Sequence, residues 1–401
     1  MLAAGFAARA GARVLLLEKM KTSGRKLAIT GKGRCNLTNT AGIEDFLARF
    51  GRNGRFLRQA LQDFGPEALR DFFTGLGLET VVERGGRVFP AGGRAPDVVK
   101  ILRSWLRREK VEVRLANRVH GFEIRNSRIA GVETGNGTLP AGAVILACGG
   151  ASYPATGSDG DGFRLAADLG HRIIPPRPAL VPLIVKNPLS PNPAGLNLRN
   201  VGIELLVNRK KVRRLLGELT FNEDGLGGPT ILTLSGRAVD ALEQHDEVAI
   251  RIDLKPALDE QELDRRLQKD LRQRGREEIA SILRGLLPRE LVPCALIACR
   301  IDRRQPGCEI TAAERRRLRH WLKNLTFEIT ASRPLAEAII TAGGVSLKEV
   351  NPRTMASRLV DNLFFAGEIL DLQADTGGYN LQAAFATGKL AGQSAATFIK
   401  S

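Results

Sequence analysis

Three short runs of uninterrupted apolar residues punctuate the chain: the strand RVLLL at 13–17, VILA at 144–147 and LFFA at 363–366. Runs of this length, without alternation, read as strands buried on both faces, as in a parallel sheet. Each ends abruptly in an acid or a glycine: Glu18, then Cys148-Gly149-Gly150, then Gly367-Glu368. Helical patterns lie beside them. Residues 2–10 are alanine-rich and stop at Gly11, 161–169 repeat at helical spacing, and a third helix begins at Tyr379. Strand, glycine-rich turn and helix start together aim free backbone N–H groups at an anionic ligand.

Between these landmarks the pattern changes twice. Residues 44–76 read as helices. Residues 78–134 read as a small β-meander interrupted by a helix across 97–108. Proline-rich stretches after Pro175 mark a boundary. Beyond it, 179–253 read as strands and turns and 256–325 as helices with charged faces. The expected architecture is α/β. A doubly wound parallel-sheet domain is formed by residues 1–176 and 336–401, with a β-plus-helical domain inserted at 177–335. Glu18 follows its strand where a dinucleotide-binding unit places the acid that accepts from a ribose hydroxyl. Neither a strand nor a GxGxxG turn precedes the first helix, so the sheet is expected to lack its first strand. A start codon assigned inside a longer reading frame is the expected explanation, and a divergent protein without a cofactor is the rival.

Composition narrows the chemistry. Five cysteines form no CxxC pair and no zinc spacing, and four isolated histidines offer no metal site, so no metal is expected. Cys294 and Cys299 read as buried helix thiols. No apolar run is long enough to span a bilayer, and no secretory signal is evident, so a cytoplasmic location without membrane contact is expected. The formal net charge of +17 suits a polyanionic partner, yet the basic residues are spread along the chain. Segment 24–39, GRKLAITGKGRCNLTN, has no amphipathic period and reads as a loop whose backbone and cations face a ligand.

Four segments together carry a resemblance: GRKLAITGKGRCNLTN, ACGGASYPATGSDGDGFRLAADLGH, TAGGVSLKEVNPRTM and AGEILDLQADTGGYNLQAAFATGKLAG. In this order, over nearly the whole chain, they resemble the BaiN/RdsA-like flavoproteins. These have a glutathione-reductase-type FAD domain with a family-specific insert. The resemblance implies FAD and flavin hydride transfer to a conjugated C=C bond. The substrate would be a small molecule or, alternatively, a uridine of ribosomal RNA reduced to dihydrouridine. A flavin-free remnant acting as a binding module is the remaining alternative. NADH or NADPH would visit the flavin directly, or another protein would deliver electrons, since no second nucleotide fingerprint appears. Oligomeric state is not legible.

Carried over by position, Glu18 accepts from the adenosine ribose, with Lys19 and the backbone of Val119 near the adenosine half. Lys26, Gly31, Gly33, Arg34, Cys35 and Asn36 line the flavin side. Gly149 and Gly150 permit close approach. Asp371 would bond the ribityl chain or a neighbouring phosphate-binding group, and Gly367 and Glu368 are further cofactor-binding residues. Gly378, Tyr379, Asn380 and Leu381 present N–H groups to the flavin's pyrimidine edge, and Gly377 before them is a further cofactor-binding residue. A helix start contributes ~0.3–1 kcal/mol to a nearby negative charge. At ~1.4 kcal/mol per 30 mV this tunes a flavin by tens of millivolts at most. Cys35 and Tyr379 are the candidate proton donors. The chain as written is expected to be flavin-poor, and an N-terminally extended one yellow.

Overall fold

The computed structural model describes residues 1–400. They divide into two compact units, Met1–Ala179 with Leu335–Ser401, and Leu180–Pro334.

In the first unit, helix α1 (Leu2–Arg9) buries Leu2, Phe6 and Ala7 and leads into strand β1 (Leu15–Leu17). Segment 24–39, expected to be a loop, begins instead as helix α2 (Arg25–Gly33). The helical path breaks at Thr30 (ψ 150°), and Gly31 and Lys32 turn left-handed (φ 57° and 56°). One amphipathic turn before a glycine break is too short to show a period in sequence. Strand β2 (Thr38–Asn39) follows, then helices α3 (Ile43–Ala48), α4 (Arg58–Asp63) and α5 (Pro66–Gly75).

The expected meander separates into two sheets. Strands β3 (Thr80–Glu83) and β4 (Arg87–Pro90) join β2 in an antiparallel trio ordered β2-β4-β3. Helix α6 (Ala95–Arg108) carries Pro96 in its first turn and buries Val98, Val99, Leu102, Trp105 and Leu106, the spacing of one helix face. Strand β5 (Glu112–Arg114) then pairs parallel to β1 (Leu15↔Glu112), and not with the meander. The meander proper is β6 (Val119–Arg125), β7 (Arg128–Thr134) and β8 (Gly137–Pro140). Strand β9 (Val144–Leu146), helix α7 (Asp161–Asp168) and strand β10 (Ile173–Ala179) complete this part.

The second unit is a closed antiparallel barrel. Its strands are β11 (Leu183–Val185), β12 (Asn197–Val207), β13 (Lys210–Phe221), β14 (Gly225–Gly227), β15 (Val248–Asp253) and β16 (Leu325–Ser332). Helix α8 (Pro229–Glu243) lies within a stretch expected to hold only strands and turns. Its buried positions Ile231, Leu234, Ala238 and Ala241 have helical spacing, but Thr230, Thr233, Ser235 and Gly236 dilute the stripe. Helices α9 (Glu260–Gln273), α10 (Ile279–Leu283), α11 (Leu291–Cys299) and α12 (Ala312–Lys323) follow. Capping boxes Asp259/Glu262 and Thr311/Glu314 start α9 and α12. Cys294 and Cys299 are buried thiols on α11.

The chain re-enters the first unit as β17 (Ile340–Val345), antiparallel to β10, then β18 (Leu363–Phe365), parallel to β9 (Leu363↔Val144). Helix α13 (Tyr379–Lys400) closes the fold. It packs tightly on α1, where a Cβ on Gly392 would strike the Ala3 carbonyl. The parallel strands therefore form two pairs, β1 with β5 and β9 with β18. One hydrophobic core runs under all of them.

Candidate functional site

The site lies at the carboxyl ends of the parallel strands, the edge where α/β sheets bind ligands. Its hub is a set of buried polar contacts between four segments distant in sequence. Thr341, fully buried on β17, accepts N–H bonds from Ala151 (2.8 Å) and Ser152 (3.1 Å) through its Oγ1. Its own N–H donates to Glu368 Oε1 (2.8 Å). The Lys26 ammonium donates to Glu368 Oε2 (2.7 Å) and Ser152 Oγ (2.8 Å). Gly150 must be glycine here, because a Cβ would strike the Thr341 hydroxyl and come within 3.0 Å of Glu368 Oε1. Gly149 turns left-handed (φ 79°) just before it. Thr341 and Ser152 carried no signal in sequence, since a threonine in a strand is ordinary.

A second wall is built from residues 31–39 and the start of α13. With its amide oriented to suit both neighbours, Asn36 donates to Thr38 O (3.0 Å) and Val88 O (3.2 Å) and accepts from Gly378 N (3.0 Å). This corrects one expectation: the Gly378 N–H is engaged within the protein. Gly378 serves by lacking a side chain, since a Cβ would overlap the Thr38 carbonyl. Asn39 ties down Gly377 O (3.1 Å). The Asn380 side chain clamps the preceding loop, accepting from Ala374 N (2.9 Å) and donating to Ala374 O (3.1 Å), so only its backbone can face a ligand. The first intrahelical bond of α13 runs from Gln382 N to Gly378 O. The N–H groups of Tyr379, Asn380 and Leu381 thus lack acceptors within the helix. Asp371 is held by Asn53, which donates to its carbonyl (2.9 Å) and Oδ2 (3.3 Å), and Gly367 N donates to Thr387 Oγ1 (3.0 Å).

The two candidate proton donors are both enclosed by the protein. Cys35 is fully buried, and burial pushes its thiol up to about 12. Tyr379 is 5% exposed, packed edge-on against Phe46 at 4.8 Å with the Arg49 guanidinium 5.5 Å over its ring. Burial raises its hydroxyl, with Arg49 pulling the other way. Neither side chain reaches open space. Arg34 also turns from the expected wall, pairing with Glu83 and stacking 4.4 Å from the Phe89 ring. Gly33, in contrast, faces an open space with no atom within 4 Å of a Cβ.

At the other end, Glu18 follows β1, its N–H on Arg114 O (2.9 Å) and its Oε1 accepting from Met20 N (2.9 Å). Lys19 and Arg118 share Asp159 and Asp161, with Lys19–Asp161 at 2.9 Å and Arg118–Asp161 at 2.7 Å. A cavity of about 200 Å³ opens among Lys19, Met20, Arg118, Pro154, Gly157 and Asp159. Val119 begins β6 beside it in sequence, paired with Thr134.

An acid after β1, the left-handed Gly149 with Gly150 after β9, and helix-start N–H groups without intrahelical acceptors after β18 fit a dinucleotide flavin laid across the strand ends. The chain is an FAD-dependent oxidoreductase. It belongs to the family of the HI0933-like protein Rossmann domain, which matches residues 1–394. It is 34% identical over 385 residues to a 3-dehydro-bile acid delta(4,6)-reductase of Clostridium scindens, covering 96% of this chain and 93% of the relative. It is 28% identical over 396 residues to a ribosomal RNA dihydrouridine synthase of Escherichia coli, again covering 96% and 93%. Among solved structures, 3-ketosteroid delta1-dehydrogenase from Sterolibacterium denitrificans shares the fold. Its TM-score is 0.53 at 14% identity, covering 99% of this chain and 97% of that one. No helix among the described residues is long and apolar enough to cross a membrane.

Proposed function

We propose that this chain reduces a C=C bond conjugated to a carbonyl in a steroid-like small molecule. The observation that carries this reading is the 34% identity, across 96% of the chain, to a protein named as a bile acid reductase. Bound FAD supplies the hydride; the protein orients it and sets the charge around it. Glu18 accepts from the adenosine ribose, and the backbone of Val119 and the cation Lys19 flank that half. Gly149 and Gly150 let the chain pass close to the cofactor. Lys26 and Glu368 stand along the ribityl chain, with Gly367 and Asp371 beyond. The N–H groups of Tyr379, Asn380 and Leu381 favour negative charge on the reduced ring's pyrimidine edge. The proton that completes the reduction comes neither from Cys35 nor from Tyr379.

The test is a single turnover. FAD-loaded protein is reduced chemically without oxygen and mixed with a 3-oxo steroid bearing conjugated double bonds. Flavin reoxidation with stoichiometric loss of one double bond is expected, at full yield in Cys35→Ala and Tyr379→Phe. Reoxidation only on admitting oxygen refutes the reading. A second reading, uridine reduction in ribosomal RNA, is favoured by the identity to the named synthase and the net charge of +17. Reoxidation by unmodified ribosomal RNA, with a steep salt dependence, would select it.

A further inference from the structure

One residue from Lys26, a cavity of about 360 Å³ opens between the start of α2 and α6, lined among others by Thr22, Ser23, Arg25, Lys100, Arg103 and Arg107. Four of these six are cations, and no acidic residue lines the cavity. Lys100, Arg103 and Arg107 recur at i, i+3 and i+7, which places them on one face of α6. Arg103 is fixed there, donating to the Ser23 carbonyl and to Ser23 Oγ (3.3 Å).

Other cations near the site are neutralised. Lys19 and Arg118 share two aspartates, and Arg34 pairs with Glu83. Among the described residues none of Arg25, Lys100, Arg103 or Arg107 forms an ion pair with a carboxylate. Four exposed like charges gathered around a hollow raise the local positive potential, which attracts an anion from solution. Hydroxyls and guanidinium groups in that hollow suit a phosphate, which offers strong acceptor oxygens to several donors.

We infer that this pocket binds a phosphate monoester of a small nucleotide, and that its occupant is the 2′-phosphate of NADPH acting as reductant. The inference rests on the reading that the bound flavin is reduced directly from solution. Position supports it. Arg25 lines the pocket while the next residue, Lys26, bonds Ser152 and Glu368 at the hub of the cofactor site. Segment 22–36 therefore joins the pocket to the wall that carries Asn36, and a dinucleotide anchored by its phosphate can run along it. NADH lacks the group that the four cations would hold. The step balances: the nicotinamide C4–H bond breaks, its hydride passes to the flavin, a proton comes from solvent, and NADP⁺ leaves.

The experiment titrates the purified full chain with 2′,5′-ADP and with 5′-ADP by calorimetry, alongside the double variant Lys100→Glu/Arg107→Glu. Both substituted residues are exposed, and circular dichroism checks that the fold is kept. The expected result is at least tenfold tighter binding of 2′,5′-ADP, with that preference lost in the variant. Stopped-flow reduction should show the matching preference for NADPH over NADH. Equal binding of the two nucleotides, or a preference intact in the variant, overturns the inference. Inorganic phosphate binding as tightly as 2′,5′-ADP would reduce the pocket to an adventitious anion site, and displacement of 2′,5′-ADP by a short RNA would reassign it; both overturn it. The titration does not depend on steroid reduction, so either idea can fail alone.

Discussion

Replacing Thr341 by valine keeps the shape of the side chain and deletes one acceptor. That acceptor holds two N–H groups, from Ala151 at 2.8 Å and Ser152 at 3.1 Å. Ser152 is 0% exposed, so no water can take the place of the lost oxygen. A buried donor left without a partner costs ~1–3 kcal/mol. Ala151 is only half-buried and should fall at the low end. The expected destabilisation of Thr341→Val is about 2–4 kcal/mol. Thr341→Ser is the control: it keeps the oxygen and loses one methyl, ~1 kcal/mol. The chain has two tryptophans, Trp105 in the first unit and Trp321 in the second. In a Trp321→Phe background, Trp105 fluorescence reports unfolding of the first unit alone, which avoids fitting two units as one transition. Urea titration of the two variants gives the comparison. If the valine variant is as stable as the serine variant, Thr341 is a packing residue and the hub has been misread.

Other outcomes follow from burial. His171 is buried, with Nε2 2.8 Å from Ser357 Oγ, its ring edge-on to Phe365, and Nδ1 3.2 Å from Glu349 Oε2 but poorly aligned for a hydrogen bond. Burial lowers its pKa, and Glu349 only partly restores it. The unfolded chain takes up a proton near pH ~6.5 that the folded chain refuses. Stability should therefore fall as pH drops through that value and level off below the folded pKa. Urea midpoints across the range should show this slope, and a His171→Asn variant should flatten it; equal slopes would exclude His171. Cys35, with its thiol near 12, should resist alkylation in the folded protein while exposed Cys308 reacts, as peptide mass mapping can show. Equal labelling of the two would mean that Cys35 is accessible after all.

What the sequence could reveal depended on whether the signal was local. Strands β1, β9 and β18 were legible because a continuous apolar run such as Leu363-Phe364-Phe365 has few other uses, whereas β5, Glu112-Val113-Arg114, has no such run and was assigned to the meander. The glycines of the cradle were legible for the same reason, being required by backbone geometry nearby. Lys26 and Glu368 could be named as site residues, yet nothing in sequence shows that they pair across 342 positions. The work of Asn36 and Asn380 was hidden more deeply. Their partners are backbone atoms, which look alike in any sequence, so residues expected to face a cofactor turn out to hold the wall in shape. Cys35 and Tyr379 were attractive because of their chemistry, but only packing shows that they are enclosed. Helix α8 was missed because small polar residues blur its apolar stripe.

The junction of the second unit has one further consequence. Ala179, the last residue before it, is the register partner of Ile340, shortly after it. Paired residues in an antiparallel ladder lie only about 5 Å apart. To the cofactor-binding unit, the 155 residues from Leu180 to Pro334 are therefore equivalent to a hairpin loop. Closure entropy grows only with the logarithm of loop length. A much shorter or longer insertion would burden this stem little. In evolutionary terms, the stem is a splice point at which an inherited redox unit can change its insert without rebuilding its own core.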